Sequence, residues 1–356
     1  MRVAHLVPAL FGQAGVVGGA ERYVLELARH MARDVPTRLV TFGRLDERFD
    51  DGPLSVIVVK TTRHVRGQRA NPFSWAAVRA ALEADIIHCH QQHIVATTVT
   101  ALAGRLRGRR VFCTDLGGGG WDLSGYVSTD RLFHGHLHIS EYSRRVFGQE
   151  HLASARVIYG GVDAAKFSPD GAVARDLDCL YVGRLLPHKG IDRLIEAMPV
   201  NLELVVAGPA PDTRYLTDLR ALAAGKRVRF VHDATDAQVI ELYRRARVVV
   251  LPSVYRDRYG HESRVPELLG QTLMEAMSCG TPAICTDVAS MPEVVADGVT
   301  GRVVAPEDVT ALGAAVQWMR DHPAEAGQMG ARGRERVLER FTWGAVVDRC
   351  LQAYAA

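Results

Sequence analysis

Short apolar runs rich in β-branched residues alternate with amphipathic helical patterns along almost the whole chain, and this alternation constrains the fold most strongly. The first strand pattern, VAHLVPAL, is followed by AERYVLELARHMA, in which Tyr23, Leu27 and Met31 recur at helical spacing. Strands that alternate with helices form parallel sheets joined by right-handed crossovers. The sequence therefore predicts an α/β protein.

The alternation occurs as two series. The first continues with the strand patterns TRLVTFG, SVIVVK, ADIIHCH, RVFCTDL and GHLHIS and with helices around residues 73–83 and 94–107. The second follows the polar segment GGVDAAKFSPDGAVARD and has the strand patterns CLYVGRL, LELVVAG, RVRFVHD, RVVVLPS and PAICTD. Its helices are expected at IDRLIEAM, 213–224, 236–246 and 270–279, with two more at the C terminus. Two series predict two doubly wound, Rossmann-like domains, over residues 1–165 and 176–340.

A chain of 356 residues is long enough for two such domains, and 47% hydrophobic residues exclude a disordered protein. Its six cysteines form no C-x-x-C pair, which argues against a disulfide framework and for a reducing compartment. The start, MRVAHLVPALFG, is too short to span a membrane and lacks a signal-peptide cleavage pattern, so we interpret it as the first strand. A cytoplasmic location is expected.

Arginines cluster in the first half of the chain, at Arg63, Arg66 and Arg69 and again over residues 105–110. One interpretation is an ordinary solvated face. The other is a patch for an anionic acceptor or for peripheral contact with the inner face of a membrane. Nucleic acid is not expected as a partner, because these stretches lack interleaved aromatic residues for base stacking.

The segment LYVGRLLPHKG places two cations on a loop after a strand. Gly183 permits close backbone approach, and Arg184 and Lys189 follow it. A planar guanidinium and an ammonium at the carboxyl end of a parallel strand suit a diphosphate. From these residues alone, both cations could equally be surface residues at the start of the next helix.

The segment PELLGQTLMEAMSCGTP carries two glutamates around a helix start. Glu267 precedes a helix that begins near Gly270, and Glu275 lies within that helix. Gly270 leaves the amides of Gln271 and Thr272 available to an anion at the positive end of the helix dipole. Carboxylates beside an anion site suit the hydroxyls of a sugar or ribose. The hypothesis is a nucleotide sugar, and the alternative is an ordinary helix with solvated charges.

Several histidines share strand faces, among them His88 with His90. No carboxylate or thiolate stands beside them at ligand spacing, so no metal site is expected. His90, at the end of a strand, is a candidate acceptor contact. The D-x-D at Asp176 and Asp178 falls in the polar linker and does not indicate metal-dependent transfer.

Taken together, VGRLLPHKGIDRLIEAM, the E-x7-E spacing of ELLGQTLMEAMSCGTPAIC and the run MPEVVADGVTGRVV resemble the retaining glycosyltransferases of family 4. The likeness extends to VGGAERYVLELARHMA, DIIHCH and VIYGGVDAAKFSP, in the family's order and over most of the chain. It implies a GT-B fold, in which two Rossmann-like domains face a cleft and a C-terminal helix, here 341–356, crosses back to the N-domain.

The resemblance also implies a reaction. The chain would move a sugar from a nucleoside-diphosphate sugar, such as a UDP- or GDP-sugar, to an acceptor hydroxyl with retention and without a metal ion. The process would be glycan or glycoconjugate biosynthesis, including that of polysaccharides. Sugar, lipid-linked and small-molecule acceptors all remain open. A nucleotide-sugar epimerase, a phosphorylase or a non-catalytic sugar-nucleotide-binding subunit of a glycan assembly complex are the alternatives.

Roles for individual residues follow from the same resemblance. Arg184, Lys189 and Glu267 would be catalytic, the two cations neutralising the diphosphate and Glu267 contacting the transferred sugar. Glu275 would bind the ribose. The other donor-binding positions would be Gly18, Gly19, Gly183, Gly270, Gln271 and Thr272. The expected acceptor-side positions are His90, Asp115, Gly117 and Gly118.

The chain departs from the family pattern at three places. Leu269 stands where family members usually have an aromatic residue, and Leu116 stands where the family often has a histidine that reaches the sugar. The segment VYRDRYGHESRVP is longer than the usual loop. We expect the change at Leu116 to alter the acceptor side. The long segment would either shape the pocket for the donor sugar or fold over the cleft.

Overall fold

A computed structural model describes residues 1–10 and 19–356. Contacts divide these residues into two compact units. Unit 1 comprises Met1–Gly161 with Trp343–Ala356, and unit 2 comprises Val162–Thr342. The division after Gly161 falls slightly before the expected boundary at residue 165, and the C-terminal segment groups with unit 1.

The strands are β1 (Val3–Leu10), β2 (Thr37–Gly43), β3 (Glu47–Asp51), β4 (Leu54–Lys60), β5 (Arg63–His64), β6 (Pro72–Phe73), β7 (Ile86–Cys89), β8 (Arg110–Cys113), β9 (Gly135–His138), β10 (Ala155–Val157), β11 (Cys179–Val182), β12 (Leu204–Ala207), β13 (Val228–Val231), β14 (Val249–Leu251), β15 (Ala283–Thr286) and β16 (Gly301–Val304). The helices are α1 (Gly19–Met31), α2 (Trp75–Leu82), α3 (Val95–Leu106), α4 (Glu141–Val146), α5 (Ile191–Ala197), α6 (Thr213–Leu222), α7 (Asp236–Arg245), α8 (Gln271–Ser278), α9 (Met291–Val294), α10 (Val309–Asp321), α11 (Pro323–Arg340) and α12 (Trp343–Ala355).

In the described part of unit 1, a sheet of eight strands has the order β10-β9-β8-β7-β1-β2-β4-β3. All neighbours are parallel except β3, which pairs antiparallel with β4 at the edge. The sequence pattern missed β3 because its residues, ERFDD, are almost entirely exposed and form no apolar run. A short antiparallel pair, β5 with β6, lies outside this sheet.

Helices cover both faces of this sheet. On one face, α2 and α3 bury a core that includes Val78, Ala81 and Ala101. On the other face lie α1 and α12, whose contact includes the ring of Trp343, 5.5 Å from that of Tyr23. The residues of α1 expected to face inward are buried there. Burial of these apolar stripes is the main source of stability for such an arrangement.

In unit 2, the described strands form a parallel sheet with the order β13-β12-β11-β14-β15-β16. The order reverses between β11 and β14, which makes their carboxyl ends the topological switch point where α/β sheets bind ligands. Two units built on parallel sheets confirm the predicted α/β fold class. The sequence did not predict β16, and three helices follow it where two were expected.

Among the described residues, none of the helices is both long and apolar enough to cross a membrane.

Candidate functional site

The loops after β11 and β14 touch each other at the switch point of unit 2. Gly190 has a positive φ of 66°, and a Cβ added there would lie 2.0 Å from the carbonyl oxygen of Pro252. The amide of Val254 donates to the carbonyl of His188 at 2.9 Å. Only glycine permits this approach at residue 190, because a side chain would meet backbone rather than a movable group. The two loops are therefore held together at one place.

A partly buried ion pair links these loops. Lys189 Nζ lies 2.5 Å from Glu267 Oε2, and each side chain is only 15% exposed. The second carboxylate oxygen of Glu267 accepts the amide of Gly270 at 3.2 Å. The structure thus joins a residue assigned to the diphosphate with one assigned to the sugar. At this low exposure, the hydrogen-bonded pair is oriented more firmly than a surface ion pair would be.

The helix α8 begins immediately after this pair. Gly270 adopts the left-handed conformation, with φ 73° and ψ 49°, and as a glycine it has no side chain of its own to cap the helix. Gln271 and Thr272 are in the first turn, as the sequence predicted. Amides of a first helical turn point along the axis, where the helix dipole favours negative charge. The geometry can therefore accept a phosphate or carboxylate group at this end of α8.

Arg184 adds a second cation near Lys189. It follows Gly183, whose amide donates to the carbonyl of Ala207 at 2.9 Å, and its own carbonyl accepts the Tyr181 hydroxyl at 3.0 Å. The Arg184 side chain is exposed. Within the residues that the structure describes, its guanidinium makes no ion pair. The backbone is fixed while the charged group faces solvent.

The charges of Lys189, Glu267 and Arg184 all affect the pKa of His188. Burial, and next the charge of Lys189, lowers the pKa of His188 to about 4, while the charge of Glu267 opposes the shift. The charge of Arg184 also acts to lower this pKa. His188 is therefore neutral at pH 7. One side chain is influenced by all three proposed catalytic residues because they are gathered around it.

Glu275 lies on α8, and its side chain is buried against α7. The Tyr243 hydroxyl donates to Glu275 Oε2 at 2.9 Å. Glu275 is 7% exposed. It therefore has a structural contact in addition to any role toward a ligand. The predicted separation of the two glutamates, one before the helix and one within it, agrees with the observed helix bounds.

The expected acceptor-side residues of unit 1 lie after β7 and β8. Asp115 is buried, and its two carboxylate oxygens accept the amides of Gly117 at 2.8 Å and Gln92 at 3.3 Å. A Cβ at Gly118 would lie 2.6 Å from Oε1 of Gln91. These contacts show Asp115 fixing the shape of the loop. They leave its assigned role toward an acceptor as a prediction.

His90 belongs to a buried cluster with His5 and His88. His5 Nδ1 and His90 Nε2 are 2.8 Å apart, and the rings of His88 and His90 are 4.2 Å apart. The imidazole nitrogens of His88 lie 2.7 Å from the Tyr354 hydroxyl and 2.8 Å from that of Thr114. Ligand atoms of the three histidines lie within 4.8 Å of one another. Because both nitrogens of His88 already have partners, we interpret the group as a hydrogen-bonded cluster.

The sequence did not indicate His5 as a member, since its proximity depends on the register of β1 against β7, which pairs His5 with His88. A polar network nearby was also missed. In it, Asp130 Oδ1 accepts Gln92 Nε2 at 2.9 Å and Gln149 Nε2 at 3.0 Å. The position of Gln92 just after a strand could have indicated it, whereas Gln149 carries no local signal.

The structure gives only the location of the remaining positions named in the sequence analysis. Gly18 lies outside the described residues, and Gly19 is the first residue of α1. Leu116, where the family often has histidine, is partly buried beside Asp115. Asp178, in the discounted D-x-D, pairs with Arg320 at 2.9 Å.

The long loop between β14 and α8 is folded onto α6. The Tyr259 hydroxyl donates to Asp218 Oδ2 at 2.5 Å, and the guanidinium carbon of Arg214 lies 4.4 Å from the Tyr259 ring centre. Asp257 closes the turn by accepting the amides of Tyr259 at 2.8 Å and His261 at 3.0 Å. The loop is therefore a structured extension beside the switch point.

Comparison with known proteins gives consecutive family matches. The model described as Glycosyltransferase Family 4 matches residues 17–166, and that described as Glycosyl transferases group 1 matches residues 165–336. A glycogen synthase of Mycobacterium tuberculosis is 32% identical over 214 residues, which span 58% of this chain and 49% of the synthase. An alpha-maltose-1-phosphate synthase of the same organism is 28% identical over 325 residues, covering 77% of this chain and 80% of that protein.

Among solved structures, the Anabaena protein Alr3699/HepE in complex with UDP-glucose superposes with a TM-score of 0.75. The match covers 100% of this chain and 99% of that one, at 19% identity. At this identity the likeness establishes the fold alone. The chain spans about half the length of the glycogen synthase.

Proposed function

Because the chain belongs to glycosyltransferase family 4, with the GT-B fold, we propose that it is a retaining, metal-independent glycosyltransferase. It would move a sugar from a nucleoside-diphosphate sugar to an acceptor hydroxyl. The observation that carries the proposal is the gathering of Arg184, the Lys189–Glu267 pair and the start of α8 at the switch point of unit 2.

The chemistry of sugar transfer requires stabilisation of a leaving group. Cleavage of the bond between the sugar and the diphosphate leaves negative charge on the diphosphate oxygens. Lys189, Arg184 and the first-turn amides of α8 supply positive charge and hydrogen-bond donors to that group. Donors fixed in place before the reaction are effective because they need not reorganise as the charge develops.

Glu267 has two functions in this proposal. Its ion pair with Lys189 and its bond to the Gly270 amide hold the ammonium at the start of α8. A carboxylate in that position can also accept hydrogen bonds from the hydroxyls of the transferred sugar. The family resemblance implies retention at the anomeric carbon. In the reaction that it implies, an oxygen of the departing phosphate takes the proton of the acceptor hydroxyl.

The cations make reaction without a metal ion chemically reasonable, since they supply the charge that Mg²⁺ provides elsewhere. Both carboxylates of the D-x-D in the linker form ion pairs with arginines: Asp176 pairs with Arg245 at 2.7 Å, and Asp178 pairs with Arg320. Among donors, UDP-glucose is the first to test, because it is bound by HepE. The name of the glycogen synthase supports a sugar acceptor.

A transfer assay in chelator tests the proposal. Release of nucleoside diphosphate is measured with each donor, with and without candidate sugar acceptors, for wild type, Lys189→Ala and Lys166→Ala. Lys166 is a matched control because it pairs with Asp236 at 2.8 Å on the surface of the same unit. Loss of a fixed donor to the leaving group should slow turnover about 100-fold or more, whereas K166A should stay within about twofold of wild type.

Equal turnover of K189A and wild type would overturn the proposal, as would activity that disappears in chelator and returns with Mg²⁺. Conversion of the donor without any acceptor would identify an epimerase. Tight donor binding with no turnover toward any acceptor would favour the non-catalytic subunit, for which Leu116 in place of the family histidine is the supporting feature. The anomeric configuration of the product, measured by NMR, tests retention.

A further inference from the structure

The segment after β8 exposes large apolar side chains. Leu123 is 58% exposed, Tyr126 71% and Val127 52%. Scattered single apolar residues on a surface are ordinary, but three within five positions form a local apolar surface. None of the roles assigned to the donor or the acceptor uses these residues.

A cationic loop lies against this segment. Arg63, Arg66 and Arg69 are all exposed, on the loop that includes β5. The guanidinium carbon of Arg66 is 3.6 Å from the centre of the Trp121 ring. The Trp121 and Tyr126 rings meet edge to face at 6.3 Å. Through Arg66, the first arginine cluster therefore adjoins the segment that carries the exposed apolar side chains.

Asn71 holds these two segments together. It is fully buried, and its Nδ2 donates to the carbonyl of Trp121 at 2.7 Å while its Oδ1 accepts the amide of Val95 at 3.1 Å. A buried side chain bonded to two separate backbone segments fixes them relative to each other. The exposed arginine and apolar side chains therefore lie on segments of unit 1 that are fixed relative to each other.

Neither of these two segments exposes an acidic side chain. Between residues 63 and 71 there is none, and between 116 and 127 the one carboxylate is that of Asp122. Asp122 is buried and accepts hydrogen bonds from Thr98 Oγ1 and, at 2.9 Å, from the amide of Ser124. The Asp122 carboxylate therefore binds the segment to α3 and does not face solvent. The exposed charge here is positive.

Two further exposed apolar side chains lie on α3. Leu102 and Leu106 follow Thr98 by four and eight residues, so they lie on the helix face that carries the bond to Asp122. They are 50% and 80% exposed. Eight helical residues extend about 12 Å. The second arginine cluster is less available, because Arg109 pairs with Asp85 at 3.3 Å and Arg105 bonds His134.

We propose that this arginine–apolar patch, formed by Arg63, Arg66, Arg69, Leu123, Tyr126 and Val127, docks on the surface of an anionic lipid bilayer. Arginines at such a surface are attracted to anionic headgroups, and aromatic and aliphatic side chains enter the interfacial region. A soluble polyanion would engage the arginines without any gain from Leu123 and Val127. The patch therefore matches a membrane better than a nucleic acid or an acidic polysaccharide, and it goes beyond the proposed reaction.

Vesicle flotation tests the docking. The full chain is mixed with vesicles of phosphatidylcholine alone or of an equimolar mixture of phosphatidylcholine and phosphatidylglycerol, and the bound fraction is measured. We expect binding to the mixed vesicles alone, weakened by salt. Each arginine near an anionic surface contributes roughly a fivefold factor in partitioning, so R63Q/R69Q should bind on the order of 20-fold more weakly.

Two controls separate the patch from general effects. R33Q/R44Q removes the same charge from exposed positions elsewhere in unit 1, and V200S/L338S removes exposed apolar side chains from unit 2. Both should bind like wild type, whereas L123S/Y126S should lose most binding with an unchanged melting temperature. Failure of wild type to float with mixed vesicles would overturn the proposal. Equal flotation of L123S/Y126S and wild type would also overturn it, because binding would then depend on charge alone. Tighter binding to heparin than to vesicles would overturn it for the same reason.

Discussion

The hydroxyl of Tyr243 donates a hydrogen bond of 2.9 Å to the carboxylate of Glu275, joining α7 to α8 inside unit 2. This bond gives Glu275 a structural contact beside the ribose-binding role that the family resemblance assigns to it. The two roles predict different consequences for different substitutions, because the phenol of Tyr243 can be changed without altering the carboxylate.

A comparison of Glu275→Gln with Tyr243→Phe separates these roles. Charge-assisted hydrogen bonds to ribose hydroxyls contribute about 1.5–3 kcal/mol, so E275Q should weaken binding of the nucleoside diphosphate about 10-fold to 100-fold. Y243F should leave affinity within about threefold and lower the free energy of unfolding by roughly 1 kcal/mol. Calorimetric titration and urea unfolding measure the two quantities. Unchanged affinity in E275Q would return Glu275 to a purely structural position.

Gly190 is expected to be far less tolerant of alanine than another glycine in the same conformation. Gly190 and Gly225 have φ values of 66° and 78°, but an added Cβ would meet the Pro252 carbonyl oxygen at residue 190 and nothing within 4 Å at residue 225. G225A should cost about 1–2 kcal/mol of unfolding free energy from left-handed strain alone. G190A should cost roughly a further 1–3 kcal/mol from the backbone clash.

Urea unfolding of the two variants measures this difference in stability. Donor affinity shows whether the substitution also disturbs the nucleotide-binding site. Since Gly190 follows Lys189, displacement of the loop should also weaken nucleotide binding in G190A and leave it unchanged in G225A. Equal destabilisation by both substitutions would contradict a close contact between the loops after β11 and β14.

The buried histidines of unit 1 make stability depend on pH. Burial lowers the pKa of His5 to about 3 and also lowers the pKa values of His88 and His90 well below their usual range. All three are neutral in the folded chain at pH 7. In the unfolded chain they gain protons near pH 6.5, so the unfolded state binds more protons below that pH and stability falls as pH decreases.

We therefore expect the free energy of unfolding to decrease between about pH 7.5 and about pH 5.5, with each such histidine contributing up to about 1.4 kcal/mol per pH unit. His90→Gln should flatten this dependence, because it removes one of the three buried imidazoles. Urea unfolding across the range measures the slope. A stability independent of pH in wild type, or the same slope in H90Q, would contradict this explanation.

The parts of the site that follow directly from strand ends were predictable from sequence. Gly183, Arg184 and Lys189 come after an apolar run, and Gly270 comes before an amphipathic one, so their positions at the carboxyl edge of a parallel sheet required only the alternation of strands and helices. The start of α8 at Gln271 agrees with that expectation. What the pattern could not give is the pairing of Lys189 with Glu267, because the two residues lie on separate loops.

The less predictable features depend on strand order and on local partners. His5 joins His88 only because β1 and β7 are neighbours in one register. The carboxylate oxygens of Asp115 accept amides of the surrounding loop, contacts that no residue spacing indicates, while its role toward an acceptor stays a prediction. β3 lies exposed at a sheet edge, where pairing rather than hydrophobic pattern determines the strand.

The most direct measurement is a calorimetric titration of UDP, GDP and ADP, in chelator, into wild type, K189A and K166A. We expect one of the three nucleotides to bind wild type without metal, and K189A to bind it about 10-fold to 100-fold more weakly because a charge-assisted contact to the diphosphate is lost. K166A should bind like wild type. No binding by any nucleoside diphosphate, or equal affinity in K189A and wild type, would contradict a donor site at the Lys189–Glu267 pair.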